Sequence, residues 1–109
     1  MKKIEGFCPI RDIISVIGTK WAVLILLTIG DNTLRFSEIQ RAVPDISQKM
    51  LTQELRALES FNLISRKVYP EVPPKVEYRL TALGRSFMPA INGVIKWALE
   101  NKEQCLGTK

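Results

Sequence analysis

The chain has 109 residues, enough for one domain, and its composition of 46% hydrophobic and 25% charged residues excludes a disordered or fibrous protein. A net charge of +5 and a sequence pI near 9.5 indicate an anionic partner. The positive excess lies in the middle of the chain, since residues 35–85 hold nine basic and six acidic side chains.

The cysteine and histidine counts argue against further classes of protein. Two cysteines are too few for a disulfide framework, and the lack of histidine argues against a metal site and most acid–base enzymes. We therefore expect no cofactor and no catalytic residues. The longest apolar run, residues 22–27, is too short to cross a bilayer, and residues 1–5 lack the apolar segment of an export signal. We expect a cytoplasmic protein without membrane contact.

Two helices are predicted at the start of the chain, joined almost without a loop. Pro9 suits the first turn of a helix, and the apolar residues that follow run up to Gly18, a plausible helix end. Thr19 can cap a second helix over residues 20–29, which ends before Gly30.

A short strand and a third helix come next. Residues 34–36 can form a minor strand, after which Ser37 and Gln40 have the spacing of a capping box for a helix reaching Val43. Pro44 ends that helix.

The fourth predicted helix covers residues 48–60. Ser47 can cap it, and Asn62 can adopt the left-handed backbone conformation that closes it. Apolar side chains recur with a helical period throughout residues 48–60, whereas apolar and polar side chains alternate in the residues that follow.

The rest of the chain predicts a hairpin and a long helix. Residues 63–69 and 75–80 are rich in strand formers, and a proline-rich turn joins them. Thr81 then caps a helix through about residue 103, which Pro89 should kink.

This order of elements is that of a winged helix-turn-helix, whose second helix enters the major groove of DNA. At about 100° per residue, the polar side chains of residues 48–60 fall within roughly 140°, opposite the apolar ones. Only Glu54 lies unexplained among the apolar residues. Glutamine can pair with adenine, and lysine or arginine with guanine or phosphate, so we predict a recognition helix; an ordinary solvated face is the alternative. The predicted DNA-contacting residues are Ser47, Gln48, Lys49, Thr52, Gln53 and Arg56.

The hairpin adds a second basic element, the wing. Arg66, Lys67, Lys75 and Arg79 could follow the phosphate backbone or enter the minor groove, or could merely protect a strand edge from aggregation. Ser37 and the free amides of its helix could bind a phosphate, although capping alone would account for this serine.

Seven short motifs occur in one order along nearly the whole chain: Cys8-Pro9, Gly18-Thr19-Lys20-Trp21, Leu34-Arg35-Phe36-Ser37-Glu38-Ile39, Ser47-Gln48-Lys49-Met50-Leu51-Thr52, Val68-Tyr69-Pro70-Glu71-Val72-Pro73-Pro74, Val76-Glu77-Tyr78 and Leu80-Thr81-Ala82-Leu83-Gly84. On these motifs the chain resembles the HxlR-type helix-turn-helix regulators. The resemblance implies a dimeric winged-helix DNA binder of bacteria and some archaea, acting as repressor or activator. Asn62 stands where the family often has glycine, and asparagine tolerates the same backbone state.

We therefore expect an α+β fold, mainly α, with residues 8–106 forming one DNA-binding and dimerisation domain. Apolar residues of the last helix cover roughly 200° of its surface, wider than one core contact needs. The first helix is similarly apolar, so the first and last helices of two chains should pack about a two-fold axis, on a pseudo-palindromic operator. The alternative is a monomer whose termini pack on each other. The predicted interface residues are Ile10, Ile13, Ile14, Ile91, Val94, Ile95, Trp97 and Ala98.

Cys8 is a candidate redox or electrophile switch. It precedes Pro9 at a helix N-terminus, where the helix dipole and free amides stabilise a thiolate. Some members of the resembling family sense oxidants or quinones through a cysteine at this place, and Cys105 could act as a resolving partner. The alternative is an inert cysteine buried in the dimer interface.

Sequence-specific binding of double-stranded DNA is the leading hypothesis. A protein-interaction module would use the same basic surface for an acidic partner. A receptor would bind a small-molecule effector in a pocket at the dimer interface, lined by Trp21, Trp97 and neighbouring apolar residues, unless these tryptophans are plain core residues. An enzyme fits least, because the motifs supply no nucleophile–base pair.

Overall fold

The computed structural model describes residues 7–107, with side chains from Pro9 onward, and these residues form a mainly α, α+β fold, as predicted. Its elements are α1 (Phe7–Ile17), α2 (Lys20–Ile29), β1 (Leu34–Arg35), α3 (Phe36–Ala42), α4 (Gln48–Ser60), β2 (Ile64–Tyr69), β3 (Lys75–Leu80) and α5 (Ala82–Leu106). The helix-turn-helix is therefore α3 and α4, and the wing is the hairpin of β2 and β3.

Three of the predicted helix caps are confirmed. The hydroxyls of Thr19, Ser47 and Thr81 each accept a hydrogen bond from a backbone N–H in the first turn of their helix, at 2.9, 3.0 and 3.0 Å. Such bonds satisfy amides that have no partner within the helix and fix where it begins. The start of α4, on which the DNA-binding prediction depends, is thus encoded locally by Ser47.

The predicted capping box of Ser37 and Gln40 is wrong. Helix α3 begins at Phe36, directly after β1, so Ser37 lies inside its first turn and is exposed. The backbone N–H of Arg35 instead donates to Glu38 Oε1 at 2.8 Å. The strand ends one residue earlier than predicted, and the acidic side chain of the capping box is therefore Glu38.

Two residues other than glycine adopt positive φ. Asn62 has φ 62°, which confirms the predicted left-handed residue after α4. Asp45, with φ 73°, was not predicted, although aspartate is one of the residues that tolerate this conformation. The turn that contains Asp45 brings the chain from α3 to the buried Ile46 and the start of α4.

The three strands form one antiparallel sheet in the order β1-β3-β2. Arg66 is paired with Tyr78 and Lys67 with Glu77. Since paired residues share a face of the sheet and neighbours in sequence alternate, Arg66 and Lys67 lie on opposite faces of the wing.

Helix α2 is the centre of the core. It contacts the other four helices of the described chain and strand β3, and Ile25, Leu26 and Ile29 are fully buried. Burying a side chain of this size stabilises a fold by about 1.5–3 kcal/mol. This packing holds α4 and the sheet in fixed relative positions.

Helix α5 runs unbroken through Pro89 and ends three residues later than predicted.

No single helix among residues 7–107 has the length and apolarity to cross a membrane, and the segments Pro9–Ile17 and Lys20–Ile29 would reach that length only together, across a 66° bend.

Candidate nucleic-acid interface

Helix α4 turns one apolar face inward and one polar face outward. Leu51, Leu55 and Leu58 are buried against the core. The predicted base-contacting residues Gln48, Lys49, Gln53 and Arg56, together with the cap Ser47, are all exposed. The predicted orientation of this helix is thereby confirmed, while contact of these residues with DNA stays a prediction.

Thr52 lies on the same outward face but is half-buried. Its hydroxyl donates to the backbone oxygen of Gln48 at 2.9 Å. The hydroxyl proton is therefore used within the helix, and a ligand would meet the acceptor lone pairs and the methyl group. A methyl contact to thymine remains compatible with this arrangement.

The structure explains Glu54, the polar residue among the apolar positions of α4. The hydroxyl of Thr19 donates to Glu54 Oε1 at 3.2 Å, and the same hydroxyl accepts the capping hydrogen bond from Ala22 N–H. A partly buried carboxylate thus receives a hydrogen bond, which offsets the cost of removing it from water. The contact links the start of α2 to the middle of the recognition helix.

The four basic residues predicted as wing contacts are divided between two faces of the sheet. Lys67, Lys75 and Arg79 share the outer face of the sheet, whereas Arg66 lies on the inner face, towards α4. The physical reason is the two-residue period of a strand, which places adjacent residues on opposite faces. Contact of these four residues with DNA stays a prediction.

The outer face of the wing contains a cluster around Tyr69. The ammonium groups of Lys67 and Lys75 each lie 4.9 Å from the centre of its ring, within the range of a cation–π interaction. The Tyr69 hydroxyl donates to Glu77 Oε1 at 3.0 Å, and Lys75 Nζ lies 3.3 Å from Glu77 Oε2. The hydrogen bond from Tyr69, and after it the contact with Lys75, lowers the pKa of Glu77 below its usual 4.5. Tyr69 and Glu77 thus order two lysines of the wing.

The inner face of the wing forms a polar cleft with α4. Arg66 Nε lies 3.5 Å from Glu59 Oε1, which links β2 to the last turn of α4. The cleft, with a volume of about 260 Å³, is also lined by Arg56 and Tyr78. Burial raises the pKa of the Tyr78 phenol above its usual 10.0, so the group remains protonated at neutral pH. Glu59 and Tyr78 were not predicted as site residues, although the alternation of a strand places Tyr78 on the same face as the buried Leu80.

The residues predicted to form a dimer interface are largely exposed. Ile10, Ile13 and Ile14 of α1 are between 45% and 55% exposed, and Val94 and Trp97 of α5 are 64% and 59% exposed. Ala98 is also exposed, while Ile95 is half-buried against the core.

The prediction that Ile91 belongs to the dimer interface is wrong. It is only 2% exposed and belongs to the core of the chain itself, because the first half of α5 packs on α2. The pocket predicted at the dimer interface, with Trp21 and Trp97 in its lining, stays a prediction. Trp97 is exposed, and Trp21 is half-buried beneath Lys20 Nζ, which lies 4.5 Å from its ring centre. The two apolar grooves beside α1 are lined by other side chains, including Ile17 and Phe87.

Of the two cysteines, Cys105 is exposed and carries a free thiol near the end of α5. Cys8 belongs to the first turn of α1, but its side chain lies outside the described residues. The switch assigned to Cys8 therefore stays a prediction.

Comparison with known proteins places this geometry in a family. The HxlR-like helix-turn-helix family model matches residues 16–105. An HTH-type transcriptional regulator of Methanothermobacter thermautotrophicus is 50% identical over 93 residues, which are 85% of this chain and 71% of that protein. The solved structure of the redox regulator HypR in its reduced form has 38% identity and a TM-score of 0.83, covering 91% of this chain and 98% of that one.

Diamide-treated YodB from Bacillus subtilis has 37% identity and a TM-score of 0.71, covering 83% of this chain and 89% of that one. Such matches extend over the helix-turn-helix, the wing and most of α5. The chain belongs to the HxlR-like helix-turn-helix family and is a transcriptional regulator rather than an enzyme.

Proposed function

We propose that this regulator binds double-stranded DNA in a sequence-specific manner, with α4 in the major groove and the wing on the phosphate backbone. The observation that carries the proposal is the outward face of α4. Gln48, Gln53 and Arg56 are exposed there, while the leucines behind them fix the helix to the core. These side chains can distinguish base pairs, and a rigid helix presents them with little loss of conformational freedom.

The wing supports the proposal by supplying charge that is independent of base sequence. Lys67 and Arg79 are exposed on its outer face, and Tyr69 orders Lys67. Lysine and arginine contacts to phosphates provide affinity for any duplex, whereas base contacts provide the preference for one. We therefore propose that α4 provides the selectivity for one sequence and that the wing provides affinity for any duplex.

The experiment that tests this function is selection of bound fragments from the source genome, followed by competition with random duplex. The proposal expects a recurring sequence, bound at least about a thousandfold more tightly than random DNA at physiological salt. Equal competition by random duplex would contradict it and favour a protein-interaction module, in which the basic surface contacts an acidic partner. A regulator of this kind would act in the cytoplasm, where it meets the chromosome.

The same regulator is proposed to act as a homodimer on a pseudo-palindromic operator. Exposed apolar side chains on both α1 and α5 support this, because monomeric proteins rarely leave such a surface in water. A two-fold axis through these helices would present two copies of α4 to half-sites about one helical turn apart.

Sedimentation of the wild type and of Trp97→Lys tests the dimer. Trp97 is 59% exposed, so the substitution leaves the core of the single chain intact while placing a charge in the proposed interface. A dimer that dissociates in the variant is expected. A wild-type monomer at micromolar concentration would contradict the proposal.

We also propose that the regulator responds to oxidants or electrophiles through Cys8. The support is the position of Cys8 at the start of α1 and the similarity to two proteins, one named as a redox regulator and one solved after diamide treatment. Operator affinity would be measured with and without a quinone or peroxide in the wild type, Cys8→Ser and Cys105→Ser. Loss of the response in both variants indicates a disulfide, and loss in Cys8→Ser alone indicates an adduct. A full response in Cys8→Ser would rule out Cys8 as the sensor.

A further inference from the structure

The cleft between α4 and the wing places two arginines and one carboxylate together. Arg56 and Glu59 come from α4, and Arg66 and Tyr78 come from the inner face of the wing. We call this the α4–wing cleft. Thr52, about one turn from Arg56 towards the start of α4, also lines it, so the cleft continues the face proposed to read bases.

The geometry of duplex DNA determines what would lie over this cleft, and the argument here rests on the proposed function. One sugar–phosphate strand always separates the major groove from the adjacent minor groove. When α4 occupies the major groove and the wing lies on the phosphate backbone at its edge, that strand crosses the space between them. The phosphates of this strand therefore pass next to Arg56 and Arg66.

In the free protein the carboxylate of Glu59 already lies beside Arg66 in this cleft. Glu59 Oε1 lies 3.5 Å from Arg66 Nε, and the side chains of both residues remain in contact with solvent, at 36% and 48% exposure. A carboxylate and a phosphate offer arginine the same kind of charged oxygen acceptor. An accessible ion pair of this kind is weak, so a phosphate can displace the carboxylate.

We propose that the α4–wing cleft binds one backbone phosphate of the duplex, and that Glu59 competes with this phosphate for Arg66. Glu59 then lowers the affinity for every duplex to a similar extent, without contacting a base. The protonated phenol of Tyr78, within the same cleft, is a further donor for the phosphate. Glu59 is thus a residue that sets affinity by controlling Arg66, while selectivity stays with the start of α4.

The test measures binding of a short fluorescent duplex of random sequence to the wild type and Glu59→Gln over a range of salt concentrations. We expect Glu59→Gln to bind about two- to fivefold more tightly, which corresponds to release of one exposed ion pair. The slope of log K against log salt should steepen by up to about 0.9, because Arg66 then brings an uncompensated charge to one phosphate. A purely structural role of Glu59 would not change this slope.

Two comparisons separate competition from a general charge effect. Glu100→Gln, an exposed position on α5, makes the same change in net charge away from the cleft. In an Arg66→Gln background, Glu59→Gln should change affinity no more than Glu100→Gln does. The proposal is overturned if Glu59→Gln matches Glu100→Gln, weakens binding, or has its full effect without Arg66.

The outcome is distinguishable from failure of the proposed function. If the wild type selects an operator but Glu59→Gln behaves as Glu100→Gln, only the role of the cleft is lost. If the wild type binds neither operator nor random duplex, both proposals are contradicted together.

Discussion

Gly84 lies where the first turn of α5 meets the start of the wing, and the structure leaves no room there for a side chain. A Cβ at this position would overlap the backbone oxygen of Leu63 and lie 3.1 Å from its carbonyl carbon. The same oxygen accepts hydrogen bonds from the N–H and the hydroxyl of Thr81, at 3.0 and 3.2 Å. Because the obstacle is backbone, relief requires α5 to move and these hydrogen bonds to weaken.

We expect Gly84→Ala to lower the free energy of unfolding by about 2–4 kcal/mol, the sum of overpacking at a buried site and weakened hydrogen bonds. The matched control is Gly93→Ala, in the interior of the same helix. Apart from the surrounding backbone of α5 and its chain neighbours, no atom of the described residues lies within 4 Å of a Cβ at Gly93. The control should stabilise the protein by about 0.5–1 kcal/mol, since alanine favours a helix over glycine.

Urea unfolding of both variants at one protein concentration measures the difference. Opposite signs for the two substitutions are expected. A Gly84→Ala protein as stable as the wild type would refute the close packing of α5 against Leu63. Loss of stability in Gly93→Ala would show instead that this side of α5 is covered by another surface.

Three further predictions follow from the wing and from the start of α2. Lys67→Ala and Lys75→Ala should each weaken binding to all duplexes and reduce the salt slope by about 0.9, and an unchanged slope would remove that lysine from the contacts. Thr19→Ala should cost about 1 kcal/mol in urea unfolding, because the hydroxyl caps α2 and donates to Glu54, and Thr19→Ser should restore most of it. The stabilising contribution of ionised Glu77 should be present above its ordinary pKa of 4.5 and disappear as the pH falls through its lower folded-state pKa. Glu77→Gln should therefore differ in stability from the wild type at neutral pH and converge with it in acid, whereas a difference independent of pH would contradict the lowered pKa.

Helix boundaries were predictable where a local signal fixes them. Ser47 and Thr81 cap their helices through side chains that lie next to the first turn, and Asn62 closes α4 with a backbone conformation that few residues tolerate. Such signals need no tertiary contact. The predicted cap at Ser37 was wrong because the observed hydrogen bond, from the N–H of Arg35 to Glu38, depends on where β1 ends.

The orientation of α4 was predictable, but the partners of its polar residues were not. The helical period alone separates Leu51 and Leu55 from Gln53, whichever element packs behind them. The contacts of Glu54 with Thr19 and of Glu59 with Arg66 join residues distant in sequence. They depend on how α4 lies against α2 and the wing, and a single sequence contains no direct record of that arrangement.

The wing and the proposed interface differ in what a sequence can predict. Strand alternation places Arg66 and Lys67 on opposite faces as soon as β2 is assigned as a strand. No such rule identifies Ile91 as a core residue, because α5 is apolar on a wide arc and only packing decides which part faces α2.

The central claim, that α4 distinguishes DNA sequences, is tested most directly by the affinity of Gln53→Ala for a selected operator and for random duplex. The account predicts a loss of about 1–3 kcal/mol on the operator and little change on random DNA, because Gln53 is exposed on the face proposed to contact bases. An equal loss on both duplexes, or no loss on either, would contradict it.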